Sequence, residues 1–276
     1  MRSSGRSWPW WLLALVAGIL VAGVWFMAVA GLQAFLLPDL EDGVETPEST
    51  VTGHLYGIGL LLATLLAYRI ASRRPIGWLG SVAGRLRWRW LAVSIVAVLP
   101  LGAACALAEA WHTAEPLGWR PSSLLLIVAA VVLVPLQATA EECFGRGLLV
   151  QAIAGFFKNE RVGLVASLIV SSAVFAALHG VASPWSATFF FGWGVLAWWL
   201  TYRTGGLEAT IALHAVNNLT LTLATEPWLD YSDPSVGDSG AGPSAMLMVG
   251  LLSLAASAII VDVVARRRLA RGSALG

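Results

Sequence analysis

Long hydrophobic runs separated by short polar segments dominate the chain. Most are close to the ~20 residues that cross the hydrocarbon core of a bilayer as an α-helix. The runs are continuous and do not alternate with period two, which argues against the strands of a membrane β-barrel. They predict an all-α polytopic membrane protein with about eight transmembrane helices, at residues 10–37, 54–70, 90–110, 122–157, 162–181, 185–202, 207–224 and 245–265.

The composition excludes an ordinary soluble domain. Of the 276 residues, 58% are hydrophobic and only 12% are charged, which is typical of a membrane protein. The first hydrophobic run is longer than the core of a usual signal peptide, so we expect an uncleaved anchor. The net charge of +1 gives no reason to expect a nucleic-acid partner. Membrane lipid is the expected surrounding.

The basic residues alternate with the predicted helices. The loops at 38–53 and 225–244 are acidic and contain no Lys or Arg, whereas both termini and the alternate loops are basic. Among the basic residues only Arg120 falls on the acidic side, and Arg146 lies within a helix. Because Lys and Arg accumulate on the cytoplasmic side of membrane proteins, we predict a cell-membrane protein with both termini in the cytoplasm.

The most informative charges lie inside the fourth predicted helix, where Glu141, Glu142 and Arg146 interrupt an apolar segment. Charges at membrane depth are costly and therefore favour a functional site. Glu142 and Arg146 are four residues apart with the glutamate first, which predicts an ion pair on one helix face. The Glu141 side chain points about 100° away from that of Glu142 around the helix axis, so Glu141 can face another helix.

Two later helices carry polar groups at the same four-residue spacing. Phe175 and His179 share a face of the fifth helix, and His214 and Asn218 share a face of the seventh. If the three helices converge, Glu141 could take a proton from water in a buried hydrolytic site. His214 and Asn218 could then stabilise an oxyanion, or the two histidines could bind a metal that activates the water.

These residues also have structural interpretations. The Glu142–Arg146 pair could serve packing alone, Phe175 could be a core residue, and Asn218 could hydrogen-bond neighbouring helices. His54 lies near a helix end, where an ordinary hydrogen bond is expected. No HExxH and no GxSxG sequence occurs, which argues against a zinc-binding protease helix and a serine nucleophile elbow.

Together, E-E-x-x-x-R, F-x-x-x-H and H-x-x-x-N resemble the three motifs of the CAAX-protease and bacteriocin-processing family, also called the Abi family. They occur in that family's order, and the resemblance covers about residues 124–222. It divides the chain into N-terminal helices at 1–121, a CAAX-protease-like catalytic core at 122–224, and a final segment at 225–276. The core would comprise helices four to seven.

The resemblance implies an intramembrane endopeptidase that acts on a peptide or membrane-protein substrate near or within the bilayer. It implies Glu141 as the water-activating base, His179 as its partner, and His214 with Asn218 as a second polar pair. The supporting residues would be Glu142, Arg146 and Phe175.

The resemblance leaves the cofactor open. A divalent metal such as zinc would be held by Glu141, His179 and His214, whereas a metal-free scheme would use the glutamate and an oxyanion hole. Members of the family process prenylated proteins or bacteriocins, or confer immunity to bacteriocins.

Two other functions stay open at this point. The buried charges could form the relay of a transporter or proton-coupled carrier, although no mirrored half-helices occur. The protein could also be a non-catalytic, immunity-like membrane protein. Counted along the helices, Glu141 and His179 lie deep, whereas His214 lies only about two turns from its helix start. A shared site therefore requires the seventh helix to begin deeper, or residues 203–207 to re-enter.

Overall fold

The computed structural model describes residues 9–36, 46–113, 118–179, 183–231 and 244–270, and these residues form helices joined by short connections without any strand. The predicted all-α fold is confirmed. A π-helical turn, Cys143–Leu149, joins α5 to α6, and a 3₁₀ turn, Glu226–Trp228, follows α9. The α-helices are α1 Pro9–Leu36, α2 Pro47–Ser72, α3 Gly77–Gly80, α4 Trp88–Thr113, α5 Ser123–Glu142, α6 Val150–Phe156, α7 Glu160–Leu178, α8 Pro184–Thr204, α9 Glu208–Thr225 and α10 Ser244–Ala270.

Within the described residues, 6 helical segments are long and apolar enough to cross a membrane. The chain is therefore an integral membrane protein, as predicted. Helices α8 and α9 are not among these segments, so the count of eight stays a prediction. The spans are Val16–Phe35, Pro47–Ser72, Trp88–Ala108, Ser123–Phe156, Glu160–Leu178 and Leu247–Arg268.

Helix α9 lies at the centre of the fold. It packs against α4 and α5 and also contacts α8 and α10. Every residue from Glu208 to His214 is buried, which is the pattern of a helix enclosed on all sides. Around it α2 packs on α5, α7 packs on α8, α10 packs on α8 and α4, and α1 packs on α2 at the periphery.

The connection between α8 and α9 is covered by the segment that begins at α3. The backbone N–H of Leu207 donates to the Gly80 carbonyl (2.7 Å), and the N–H of Val82 donates to the Gly205 carbonyl (2.9 Å). Gly205 ends α8 in the left-handed region, at φ 70°, where glycine is favoured. Because this turn is buried, α9 begins inside the protein, and His214 lies deeper than a count from an exposed loop suggests.

A buried ion pair locks this connection. Arg87 donates from Nε to Oε1 of Glu208 (2.9 Å) and from Nη2 to Oε2 (2.6 Å), and the Glu208 side chain is 0% exposed. In the sequence, Arg87 lies in one of the basic segments between two predicted helices. The structure instead buries it against the carboxylate that begins α9, where the helix dipole favours a negative charge.

Three further ion pairs lie near the ends of the helices. Asp262 of α10 bonds both Arg203 and Arg266, and Arg120 bonds Asp230 in the acidic segment (3.1 Å). These contacts agree with the predicted arrangement of loops. The orientation of the termini stays a prediction.

Close packing of α7 on α8 depends on Gly194. A Cβ at Gly194 would lie 2.7 Å from the Cα of Ser172, so Gly194→Ala must push the helices apart. We expect it to destabilise the protein by about 1–3 kcal/mol, as overpacking does, measured by thermal unfolding in detergent. Gly155→Ala is the control, because a Cβ there meets nothing within 4 Å. Equal stabilities of the two variants would contradict this packing.

Candidate active site

The site begins where α5 changes into the π-helical turn Cys143–Leu149. Glu141 and Glu142 are the last residues of α5, and Arg146 lies within the turn. Such single π-turns occur frequently at functional sites. The irregularity includes the buried Gly145.

A buried network surrounds Glu142. Its Oε1 accepts hydrogen bonds from Nη1 of Arg146 (3.1 Å) and from Nδ1 of His214 (2.8 Å). The Glu142 side chain is 0% exposed, that of Arg146 1% and that of His214 4%. Glu142 therefore links α5 to α9 and fixes the orientation of the His214 ring, while Arg146 balances its charge.

Aromatic rings hold the other histidine. The imidazole of His179, directly after α7, lies between Phe175 (ring centroids 4.3 Å apart) and Phe190 (4.2 Å). Its Nδ1 donates to the Phe175 carbonyl (2.7 Å). The Arg146 guanidinium also lies 4.3 Å from the Phe175 ring centroid, so Phe175 connects the two parts of the site.

Glu141 faces both histidines. Its Oε2 lies 3.8 Å from Nε2 of His179 and 3.8 Å from Nε2 of His214. Both distances exceed a direct hydrogen bond. Oε2 is buried and accepts no hydrogen bond from any described residue. The three side chains thus converge on a single carboxylate oxygen, although they come from α5, α7 and α9.

The hydrogen bonds of the two rings determine what faces Glu141. The Nδ1 atoms of His179 and His214 meet a carbonyl oxygen and a carboxylate, which only accept, so Nδ1 carries the proton in each ring. In the neutral rings both Nε2 atoms are therefore acceptors. Three acceptors converge, an arrangement that suits a water molecule, whose two hydrogens would satisfy two of the three.

Asn218 lies one turn after His214 on α9. Its Oδ1 accepts a hydrogen bond from Nδ2 of Asn217 (3.0 Å), which leaves its own Nδ2 as the donor available to a substrate. Among the described contacts, Asn218 makes no hydrogen bond or ion pair to Glu141, Glu142 or the two histidines. The catalytic roles of all these residues stay predictions.

The cluster offers a metal ion two imidazole nitrogens, from His179 and His214, and one carboxylate oxygen, from Glu141. Imidazole nitrogens and a carboxylate oxygen are suitable zinc ligands. No group of three or more His, Cys, Asp or Glu side chains in the described ranges, however, is arranged to hold a metal ion. As placed, Glu141, His179 and His214 are therefore not a preformed metal centre, and the cofactor stays a prediction.

Sequence reasoning missed two residues beside Glu141. Gln137 donates from Nε2 to Oε1 of Glu141 (3.3 Å), and Oε1 of Gln137 lies 3.2 Å from Nδ1 of His54. His54 was expected to make only an ordinary hydrogen bond. The signal for Gln137 was present, because it lies four residues before Glu141 on one helix face. No local pattern connects His54 to them.

Comparison with known proteins supports the motif assignment. Residues 120–220 match the family model described as Rce1-like, type II CAAX prenyl endopeptidase. The chain is also 29% identical over 169 residues to the uncharacterized protein YyaK of Bacillus subtilis strain 168, covering 57% of this chain and 55% of that protein. It thus spans about half the length of this curated relative. No solved structure matches the chain.

Proposed function

Because residues 120–220 match the model of the Rce1-like type II CAAX prenyl endopeptidases, we propose that this protein is an intramembrane endopeptidase in which Glu141 activates water. The observation that carries the proposal is the buried Oε2 of Glu141, which faces Nε2 of both His179 and His214 at 3.8 Å. A carboxylate held against two imidazole acceptors is arranged to bind and deprotonate a water molecule.

In the proposed reaction, Glu141 takes a proton from the water while the water oxygen forms a bond to the carbonyl carbon of the substrate. The second hydrogen of the water is held by the Nε2 atom of His179 or His214. The Nδ2 of Asn218 donates to the oxyanion that develops, which is an effective form of transition-state stabilisation. Glu141 then returns the proton to the leaving amine as the carbon–nitrogen bond breaks. No step passes through a metal.

Exposure indicates how a substrate approaches. The side chains of His179 and Glu141 are 27% and 18% exposed, whereas that of His214 is 4% exposed. We therefore infer that the scissile bond enters from the side of His179 and Glu141, with His214 at the closed end. The substrate is a peptide or membrane protein, and the protein acts in the cell membrane with its termini in the cytoplasm.

Purified protein in lipid nanodiscs tests this function. The substrates are a farnesylated peptide with a C-terminal CAAX sequence, the same peptide without the lipid, and a proteome-derived peptide library, with products identified by mass spectrometry. We expect peptide-bond hydrolysis that Glu141→Gln slows by about a hundredfold or more. Cleavage of only the farnesylated peptide assigns a lipidated substrate, and cleavage of none of the three contradicts an endopeptidase.

Metal removal distinguishes the two chemical schemes. Because the site residues as placed do not form a metal centre, we expect treatment with EDTA or 1,10-phenanthroline to leave the hydrolysis rate unchanged. The measurement is the initial rate before and after chelation, with added zinc as the control. A loss of activity that zinc restores would contradict the metal-free scheme.

A further inference from the structure

A chain of hydrogen bonds runs from Glu141 to the far end of α9. Nε2 of Gln137 donates to Oε1 of Glu141 (3.3 Å), and Oε1 of Gln137 faces Nδ1 of His54 (3.2 Å). Nε2 of His54 lies 3.2 Å from Oε2 of Glu226. The contacts use α5, α2 and the 3₁₀ turn after α9, so they connect the candidate base to one helix and one turn outside the motif set.

The orientation of the Gln137 amide follows from its neighbours. A carboxylate oxygen only accepts, so the amide must present its NH₂ group to Glu141 and its oxygen to His54. His54 then donates from Nδ1. Without a donor at His54, the Gln137 amide would lose the hydrogen bond to His54 that holds it in this orientation. A flipped Gln137 amide would then place its oxygen against Oε1 of Glu141.

The backbone leaves room for this arrangement at Gly57. A Cβ at Gly57 would lie 2.5 Å from Cγ and 3.3 Å from Cβ of Gln137. A side chain at this position would therefore displace Gln137 from its place between His54 and Glu141. At Gly53, one turn earlier on α2, a Cβ would meet nothing within 4 Å.

We propose that Gln137, oriented by His54, is a positioning residue that aims the Glu141 carboxylate at the attacking water. One oxygen of Glu141 is fixed by the amide, and this directs the other, Oε2, toward the two histidines. The proposal rests on the proposed function, since it assigns Glu141 as the base. The proposed positioning role also makes the reaction depend on α2, which carries His54. This helix lies outside the family match at residues 120–220.

The first test compares Gln137→Leu with Gln33→Leu. Gln33 accepts a hydrogen bond from Tyr56 across α1 and α2 (3.2 Å) but does not touch this chain of contacts. We expect Gln137→Leu to lower kcat by about tenfold or more, the value of one lost hydrogen bond to a charged group, with KM unchanged. Gln33→Leu should keep the kcat of the wild type. Equal kcat values in the two variants would overturn the proposal.

His54 is tested by a pair of substitutions. Asn places its Nδ2 near the position of the histidine Nδ1 and keeps a donor for Gln137, whereas Leu removes it. We expect His54→Leu to lower kcat by about as much as Gln137→Leu and His54→Asn to recover most of the loss. A merely structural role for His54 would give no such recovery.

The glycine pair tests the same point without altering a polar group. Gly57→Ala should lower kcat because it displaces Gln137, and Gly53→Ala should not. This pair keeps the proposal testable even if Gln137→Leu fails to fold, which gel filtration in detergent would show.

An infrared measurement separates failure of this inference from failure of the proposed function. The difference spectrum between the protein and its Glu141→Gln variant isolates the carboxyl band of Glu141 and needs no substrate. We expect the band to shift in Gln137→Leu and Gly57→Ala but not in Gln33→Leu. An unshifted band overturns the positioning role, whereas a shifted band in a protein that cleaves no peptide overturns the proposed function instead.

Discussion

Replacing Glu141 with glutamine is expected to lower the rate of peptide-bond hydrolysis by about 10²–10⁴-fold, the usual contribution of a general base. Glutamine keeps the size of the side chain and can still occupy the space between His179 and His214. It cannot accept a proton from water. The loss should therefore fall on kcat, because substrate binding does not require the proton transfer.

The measurement is the single-turnover rate of the purified variant beside wild type and Glu160→Gln. Glu160 is exposed at the start of α7, away from the site, so its substitution controls for the loss of one carboxylate. Unchanged thermal unfolding of both variants would show that the effect is chemical. A Glu141→Gln protein with more than about a tenth of the wild-type rate is incompatible with a general-base role.

Replacing Arg146 with methionine is expected to destabilise the protein by about 3–5 kcal/mol, the cost of leaving a buried partner charge uncompensated. Glu142 is 0% exposed and would lose its arginine partner while keeping the contact with His214. The Phe175 ring would also lose the guanidinium stacked on it. This is the largest stability effect that we predict for the site.

Two further variants show whether the lost stability of Arg146→Met comes from the unpaired Glu142 charge. The double variant Glu142→Gln/Arg146→Met removes both charges and should recover a large part of the lost stability. Arg266→Met removes an arginine whose side chain is 64% exposed and leaves Asp262 paired with Arg203, so we expect a loss of about 0–1 kcal/mol, as for an exposed pair. Thermal unfolding in one detergent compares all three. An Arg146→Met protein as stable as Arg266→Met would show that the buried pair does not stabilise the fold.

Short-range parts of the site follow from the sequence because helix geometry fixes them. The four-residue spacing places Arg146 against Glu142, and the 100° step between successive residues turns Glu141 toward a different neighbour. The long apolar runs likewise predict the helices, since membrane thickness limits their length. These relations need no knowledge of how the helices pack.

Contacts between distant segments could not be predicted in this way. The buried turn between α8 and α9 brings His214 to the depth of Glu141, and it depends on Arg87, which resembles an ordinary loop arginine in the sequence. His54 and Gln137 are 83 residues apart. Their contact results from the packing of α2 on α5. The sequence pattern of neither helix determines which residues of α2 face which residues of α5.

The central claim is that Glu141 makes this membrane protein an endopeptidase, and the most direct test is made in the membranes of its native host. Peptide termini are compared by mass spectrometry between cells with the intact protein and cells with Glu141→Ala at matched protein levels. The account predicts a set of termini that is present with the intact protein and absent with the variant, and those termini identify the substrates. Identical sets of termini would contradict the claim.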